Sequence, residues 1–406
     1  MKKKMAMCHS PPKPPSSEMA FAQTIILLFL TTLSAWAAGT ESTFGCYESI
    51  ISFGDSIADT GNLLRLKPAN NQPKSARLPY GRTFFHHPTG RFSDGRLIID
   101  FIAESLGLPL VQPYLGGADA ALTGRSFDKG VNFALAGATA LDISFFEERG
   151  IYNPMTNVSL GTQLRWFKQF LATIPEGRNF LQRSLILMGE IGGNDYNYPL
   201  EQGKSLQVTQ SFGTAVVDSI GSTIQELIKL GAKTILVPGN FPIGCIPVFL
   251  TQFEKFSSKK DYDSTTGCIN WLNKLSIYHN ELLQKELTRV QKLHPHVHII
   301  YADYYNATLR LYLSPTQFGL SKDSLRACCG AGGPYNFNDL VRCGSPGATC
   351  CNDPSIFTSW DGLHFTEAAY RLIAQGLLQG PYTTPRFKDI CPSVTISSPA
   401  AQVYEY

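Results

Sequence analysis

Short apolar runs set between long amphipathic stretches are the strongest limit on what this chain can fold into. Five runs, at residues 50–53, 130–133, 185–188, 234–237 and 297–301, are near-continuous rather than alternating. Strands covered on both faces read this way, because neither face meets water. Helical spacing fills the gaps. Val217, Ile220, Ile224, Leu227 and Ile228 recur at three- and four-residue steps, and Gly231 follows as a C-cap. Leu272, Leu275, Tyr278, Leu282, Leu283, Leu287 and Val290 repeat the pattern before the fifth run. Alternating strands and helices predict a parallel sheet with helices on both sides. Functional residues then belong at the C-terminal ends of the strands.

The 406 residues hold 43% hydrophobic and 17% charged side chains, enough for a sizeable core and too apolar for a disordered chain. The formal net charge is +3, and residues 1–37 carry four Lys and one Glu, so the remainder is formally neutral. No basic stripe is present, and nucleic acid is not an expected partner. Residues 19–40 are uncharged, contain an apolar run at 25–30 and end in Ala35-Trp36-Ala37-Ala38. That pattern predicts a secretory signal peptide cleaved after Ala37. An uncleaved anchor is the competing reading, weakened by Thr31, Thr32 and Ser34. Residues 1–18, a lysine triplet and a Pro-rich stretch, are unusual ahead of such a leader, and Met19 is an alternative start. The expected organisation is a leader at 1–37, a single domain at 38–391 and a loose tail at 392–406. The expected location is the extracellular space or a compartment of the secretory pathway, with no stable membrane association after cleavage.

Beyond the leader nine cysteines remain, five of them between 328 and 351. The doublets lack zinc-type spacing, and an oxidising compartment favours disulfides. The odd number leaves at least one thiol unpaired within the chain, and the connectivity stays open. Asn157-Val158-Ser159 and Asn306-Ala307-Thr308 are glycan acceptor triplets, which place Asn157 and Asn306 as expected glycosylation sites.

Nucleotide signatures fail. Gly203-Lys204-Ser205 lacks the earlier glycine of a phosphate loop, where Tyr198 stands. The glycines at 330, 332 and 333 follow no strand. A His-Glu-x-x-His helix and a Gly-x-Ser-x-Gly elbow are both absent from the sequence. Four islands remain: Phe53-Gly54-Asp55-Ser56-Ile57, Ala136-Gly137-Ala138-Thr139, Gly192-Gly193-Asn194-Asp195 and Asp361-Gly362-Leu363-His364. The first three each follow an expected strand, so they should converge on one rim.

These islands, in this order, resemble the Ser, Gly, Asn and Asp-x-x-His blocks of the plant GDSL esterase/lipase family of SGNH hydrolases. The resemblance spans about residues 46–391 and includes LMGEIGGNDYNY at 187–198, LVPGNFPIGC at 236–245 and YADYY at 301–305. It is most similar to the branch containing acetylajmalan esterase and sinapine esterase, which cleave acyl esters of specialised metabolites. One departure is Ile57, where the family motif has Leu; the side chain stays apolar and equal in size. The resemblance implies a flavodoxin-like three-layer α/β/α sandwich around a mainly parallel five-stranded sheet. It implies Ser56 as nucleophile, His364 as general base and Asp361 as the group orienting the imidazole. The implied oxyanion hole comprises the backbone N–H groups of Ser56 and Gly137 and the side-chain amide of Asn194. Chemically the set suffices, since a serine hydroxyl needs an adjacent base and a developing oxyanion needs fixed donors.

Each island has a plainer reading alone. Gly-Asp-Ser and Asp-Gly commonly make turns, and Asn194-Asp195 could cap a helix. Asp55 and Asp59 are expected to hydrogen-bond locally. His86 and His87 read as surface residues, and His294, His296 and His298 as solvent-facing rather than metal ligands. Phe84-Phe85 and Phe145-Phe146 are expected in the core rather than in an acyl pocket. The expected function is a cofactor-free, metal-free secreted serine esterase acting on small-molecule acyl esters of plant metabolites, acetyl or hydroxycinnamoyl. An acyltransferase using the same acyl-enzyme, a lipase or a cell-wall acetyl esterase are the alternatives, and a catalytically silent binding protein is a further one.

Overall fold

The computed structural model describes residues 45–115 and 127–395. The expected leader, its expected cleavage point and residues 396–406 of the expected tail lie outside them. Strands β1 (Ser49–Ser52), β2 (Gly130–Asn132), β3 (Ser184–Leu187), β4 (Thr234–Pro238) and β5 (His298–Ala302) fall on the five expected runs to within about a residue. They pair in parallel in the order 2-1-3-4-5. Ile50 faces Gly130 on one side and Leu185 on the other, so β1 is central to the part that carries the first three islands.

Near-continuous apolarity has the expected cause. Ile50, Leu185, Leu236 and Ile300 point into one half of the core, and Ile51, Ile186, Ile235 and Ile299 into the other. Helices α1 (Ile98–Ser105), α6 (Tyr304–Leu313) and α7 (Glu367–Leu378) cover the first half. Helices α2 (Leu160–Leu171), α4 (Gly213–Leu230) and α5 (Asn270–Leu293) cover the second, and α3 (Gly193–Glu201) starts at the rim. Each fully buried aliphatic side chain contributes about 1.5–3 kcal/mol relative to exposure. Gly231 ends α4 with φ +128°, a conformation that side chains disfavour. The layered architecture is thus the α/β/α sandwich that the alternation implies.

The strand count differs. After a two-residue ribbon of β6 (Cys329–Gly330) and β7 (Thr349–Cys350), β8 (Thr383–Thr384) joins β5 antiparallel, making the main sheet six-stranded rather than five-stranded. Two residues carry no periodicity, and only the return of the chain after α7 defines them. Packing also continues past residue 391: Val394 is buried in the half covered by α1, α6 and α7.

Four disulfides join Cys46–Cys391, Cys245–Cys268, Cys328–Cys351 and Cys329–Cys343, and Cys350 is the unpaired member of the nine. Denaturing alkylation without reductant is therefore expected to modify one of these nine cysteines, Cys350, and after reduction all nine. Peptide mapping reads the sites; a second modified cysteine in the unreduced sample would contradict this pairing.

Candidate active site

Parallel strands place their C-terminal ends on one edge, and the first three islands follow β1, β2 and β3 there. Buried polar side chains fix the loops. Gln163 of α2 accepts from the Gly54 N–H at 2.9 Å and donates to the Gly54 carbonyl at 2.8 Å. The Asp59 carboxylate accepts from Gly61, Asn62 and Leu63 at the next helix start, and also from the Ala136 N–H at 2.9 Å. It is therefore both the local group expected and a tie between the first and second islands. Asp195 accepts from Ala140 and Leu141 at 2.8 and 3.0 Å, tying the third island to the second; burial pushes its carboxyl up to about 7.

Ser56, half-buried at the end of β1, is 2.9 Å from His364 Nε2. His364 Nδ1 is 2.8 Å from Asp361 Oδ2. A carboxylate only accepts, so Nδ1 carries the proton and Nε2 is free to accept from the serine. Burial alone would raise the Asp361 carboxyl. The adjacent His364, with the backbone N–H groups of His364 and Leu363, outweighs burial and holds it below the usual carboxylate range. This short loop needs Gly362, whose φ is +93° and whose Cβ would come within 2.3 Å of the Phe337 ring. The imidazole packs on Phe92, ring centres 4.6 Å apart.

Gly137 has φ +83°, and a Cβ there would collide with Met155 at 2.4 Å. Among the described residues, neither the Ser56 nor the Gly137 backbone N–H donates to a protein acceptor. Asn194 lies in the first turn of α3 and does not cap it; Gly192 occupies the cap position. Its Nδ2 donates to Asp55 Oδ2 at 2.8 Å and to the Ala138 carbonyl at 3.0 Å. Ser56, Gly137, Asn194 and His364 all line one cleft of about 330 Å³, walled by Tyr80, Phe92, Met155, Tyr198 and Phe337. A recess of about 40 Å³, bounded by Phe241, Ile243 and Ile246, also borders Ser56 and His364.

Other singled-out residues lie elsewhere. His86 and His87 are exposed, and His294, His296 and His298 are exposed or half-buried. No group of three potential metal ligands occurs among the described residues. Phe146 is core; Phe84 and Phe85 are half-buried beneath Arg96 and Arg91, and neither pair lines the cleft. Asn157 is exposed, and Asn306 is exposed with its amide donating to Asp303.

Sequence reasoning missed three groups. Tyr80 donates to Asp361 Oδ2 at 2.8 Å, and Gln163 clamps the serine loop. Glu190, buried after β3, accepts from Gly193 N–H at 2.9 Å beside Asp55. Only Glu190 carried any signal, lying three residues before the third-island pair Gly193-Asn194.

A layered parallel sheet presenting serine, histidine and aspartate in hydrogen-bonded series has the arrangement of a serine hydrolase. Residues 50–377 match the family described as GDSL-like Lipase/Acylhydrolase, and the chain belongs to that family. A GDSL esterase/lipase of Arabidopsis thaliana is 54% identical over 379 residues, covering 92% of this chain and 93% of the relative. Another from the same plant is 55% identical over 373 residues, covering 91% and 93%. Sinapine esterase of Brassica napus is 52% identical over 359 residues, covering 87% and 91%.

Proposed function

We propose that this chain is a secreted esterase of small plant-metabolite esters, working through an acyl-enzyme on Ser56. The observation that carries the reading is the unbroken relay from Ser56 through His364 to Asp361, open to an aromatic-walled cleft. His364 Nε2 takes the Ser56 proton as Oγ attacks the ester carbonyl carbon. The resulting oxyanion accepts from the free N–H groups of Ser56 and Gly137 and from the Asn194 amide, one of whose hydrogens leaves the Ala138 carbonyl. Collapse of the intermediate breaks the ester C–O bond, and His364 returns the proton to the departing alkoxide. Water then attacks the acyl-Ser56 carbonyl, His364 takes its proton, and the free acid leaves as Oγ is reprotonated.

The cleft suits the bulk of an acyl ester, while the small recess has room for a group not much larger than one water. The leader pattern and four disulfides support secretion. The sinapine esterase relative supports a plant-metabolite ester as substrate class. Purified protein offered a panel of acetyl and hydroxycinnamoyl esters is expected to release the free acids. Transfer to an added alcohol without hydrolysis, or no turnover of any ester, would overturn the reading.

Asn194→Ala is expected to lower kcat by about 10²- to 10³-fold, or about 2.7–4 kcal/mol, with a smaller effect on KM. A neutral carbonyl accepts a weak hydrogen bond and an oxyanion a strong one, so the loss falls on the transition state. Two backbone donors remain, so activity persists. A lower melting temperature with unchanged kcat would mark Asn194 as purely structural.

A further inference from the structure

Directly behind the serine, two carboxyl groups lie side by side in the core. Asp55 follows β1 and is 3% exposed; Glu190 follows β3 and is 5% exposed. The two carboxyl groups are neighbours, and the Asp55 N–H donates to the Glu190 carbonyl at 2.9 Å. Among the described residues no lysine, arginine or histidine forms a salt bridge with either. Two bare carboxylates in contact would repel strongly in such a place, so one proton between them is the stable arrangement. Burial, reinforced for Asp55 by the Glu190 charge, raises both carboxyls, which agrees with a retained proton.

The pair reaches both ends of the oxyanion region. Glu190 Oε1 accepts from the Gly193 N–H at 2.9 Å, at the first residue of α3. Asp55 Oδ1 accepts from the Ile57 N–H at 2.9 Å, just past the serine. Asp55 Oδ2 accepts one hydrogen of the Asn194 amide at 2.8 Å. With that hydrogen held, the amide plane is fixed and the second hydrogen is directed toward the loop after β2.

We propose that Glu190 is a positioning residue for ester hydrolysis: by holding the Gly193 N–H and bracing Asp55 beside it, it keeps the Asn194 amide in the orientation that meets the oxyanion. This rests on the role of Asn194 proposed above. Glutamine keeps one hydrogen between the two side chains without a second charge, with an oxygen for the Gly193 N–H and an N–H for an ionised Asp55. Alanine leaves the Gly193 donor unpaired and takes away the neighbour that braces the Asp55 carboxyl.

The test is kcat and KM, measured on a short-chain p-nitrophenyl ester for Glu190→Ala, Glu190→Gln, Asn194→Ala and the Glu190→Ala/Asn194→Ala double variant. Glu190→Ala is expected to lower kcat about 10- to 100-fold with little change in KM, as misplacement of a reacting-site donor does. Glu190→Gln is expected to recover most of that loss. In the Asn194→Ala background Glu190→Ala is expected to change kcat by less than about threefold, because the group it positions is gone. Where the alanine variant does not fold, Glu190→Met, which keeps the volume without the hydrogen bond, takes its place. An equal loss in both backgrounds, or a glutamine variant as impaired as alanine, overturns the positioning role while leaving the oxyanion reading intact. Wild-type kcat in Asn194→Ala removes the oxyanion reading itself.

Discussion

Ser56→Ala is expected to leave a folded protein whose kcat toward esters is lower by about 10⁶-fold, the scale of losing a serine nucleophile. The expectation of an intact fold follows from the contacts of the hydroxyl. Among the described residues Oγ hydrogen-bonds only His364 Nε2, and the residue is half-buried, so its removal opens no core cavity. The backbone N–H groups at 56 and 137 survive, and any residual rate comes from them and Asn194. A fluorophosphonate probe should add one mass increment to the wild type and none to the variant. Turnover within tenfold of wild type, from protein with an unchanged melting temperature, would remove Ser56 from the reaction.

Asp361→Asn is expected to cost about 10⁴-fold in kcat with the loop preserved. The introduced asparagine could still accept through Oδ1 from the N–H groups of Leu363 and His364, as Asp361 does. Its amide nitrogen would then face His364 Nδ1 and donate to it. That forces the imidazole proton onto Nε2, which can no longer take the proton of Ser56. The Tyr80 hydroxyl, now donating to Asp361, would also lose its charged acceptor. Kinetics and a melting curve on one preparation decide the matter: a kcat within tenfold of wild type would show that the carboxylate does not set the tautomer.

What could be read in advance follows from how local each feature is. Strands β1 to β5 announce themselves because burial on both faces demands uninterrupted apolar residues. The islands at 54–56, 137 and 194 could be grouped because parallel strands bring their ends to one edge. Asp361 and His364 share a short loop, and their partnership is implied by the family resemblance, with which a three-residue spacing is compatible. Long-range pairing was not. Tyr80 and Asp361 lie 281 residues apart, and no period or motif connects them. Gln163 sits on an amphipathic helix whose pattern reports only which face is buried. The cysteine cluster signalled oxidation, yet Cys350 and Cys351 are neighbours with opposite fates, which only three-dimensional proximity decides.

The Cys46–Cys391 bridge closes the chain across a separation of 345 residues, near both ends of the described body. Topologically the catalytic body is a ring. A peptidase that cuts any one loop inside it opens the ring but releases no fragment, and the pieces stay one covalent molecule. Closing so long a loop also lowers the entropy of the unfolded chain, by an amount worth on the order of 5 kcal/mol in the chain-entropy picture. Durability against a single proteolytic nick is therefore built into the covalent connectivity rather than into any one packed surface, and it lasts as long as that one bond stays oxidised.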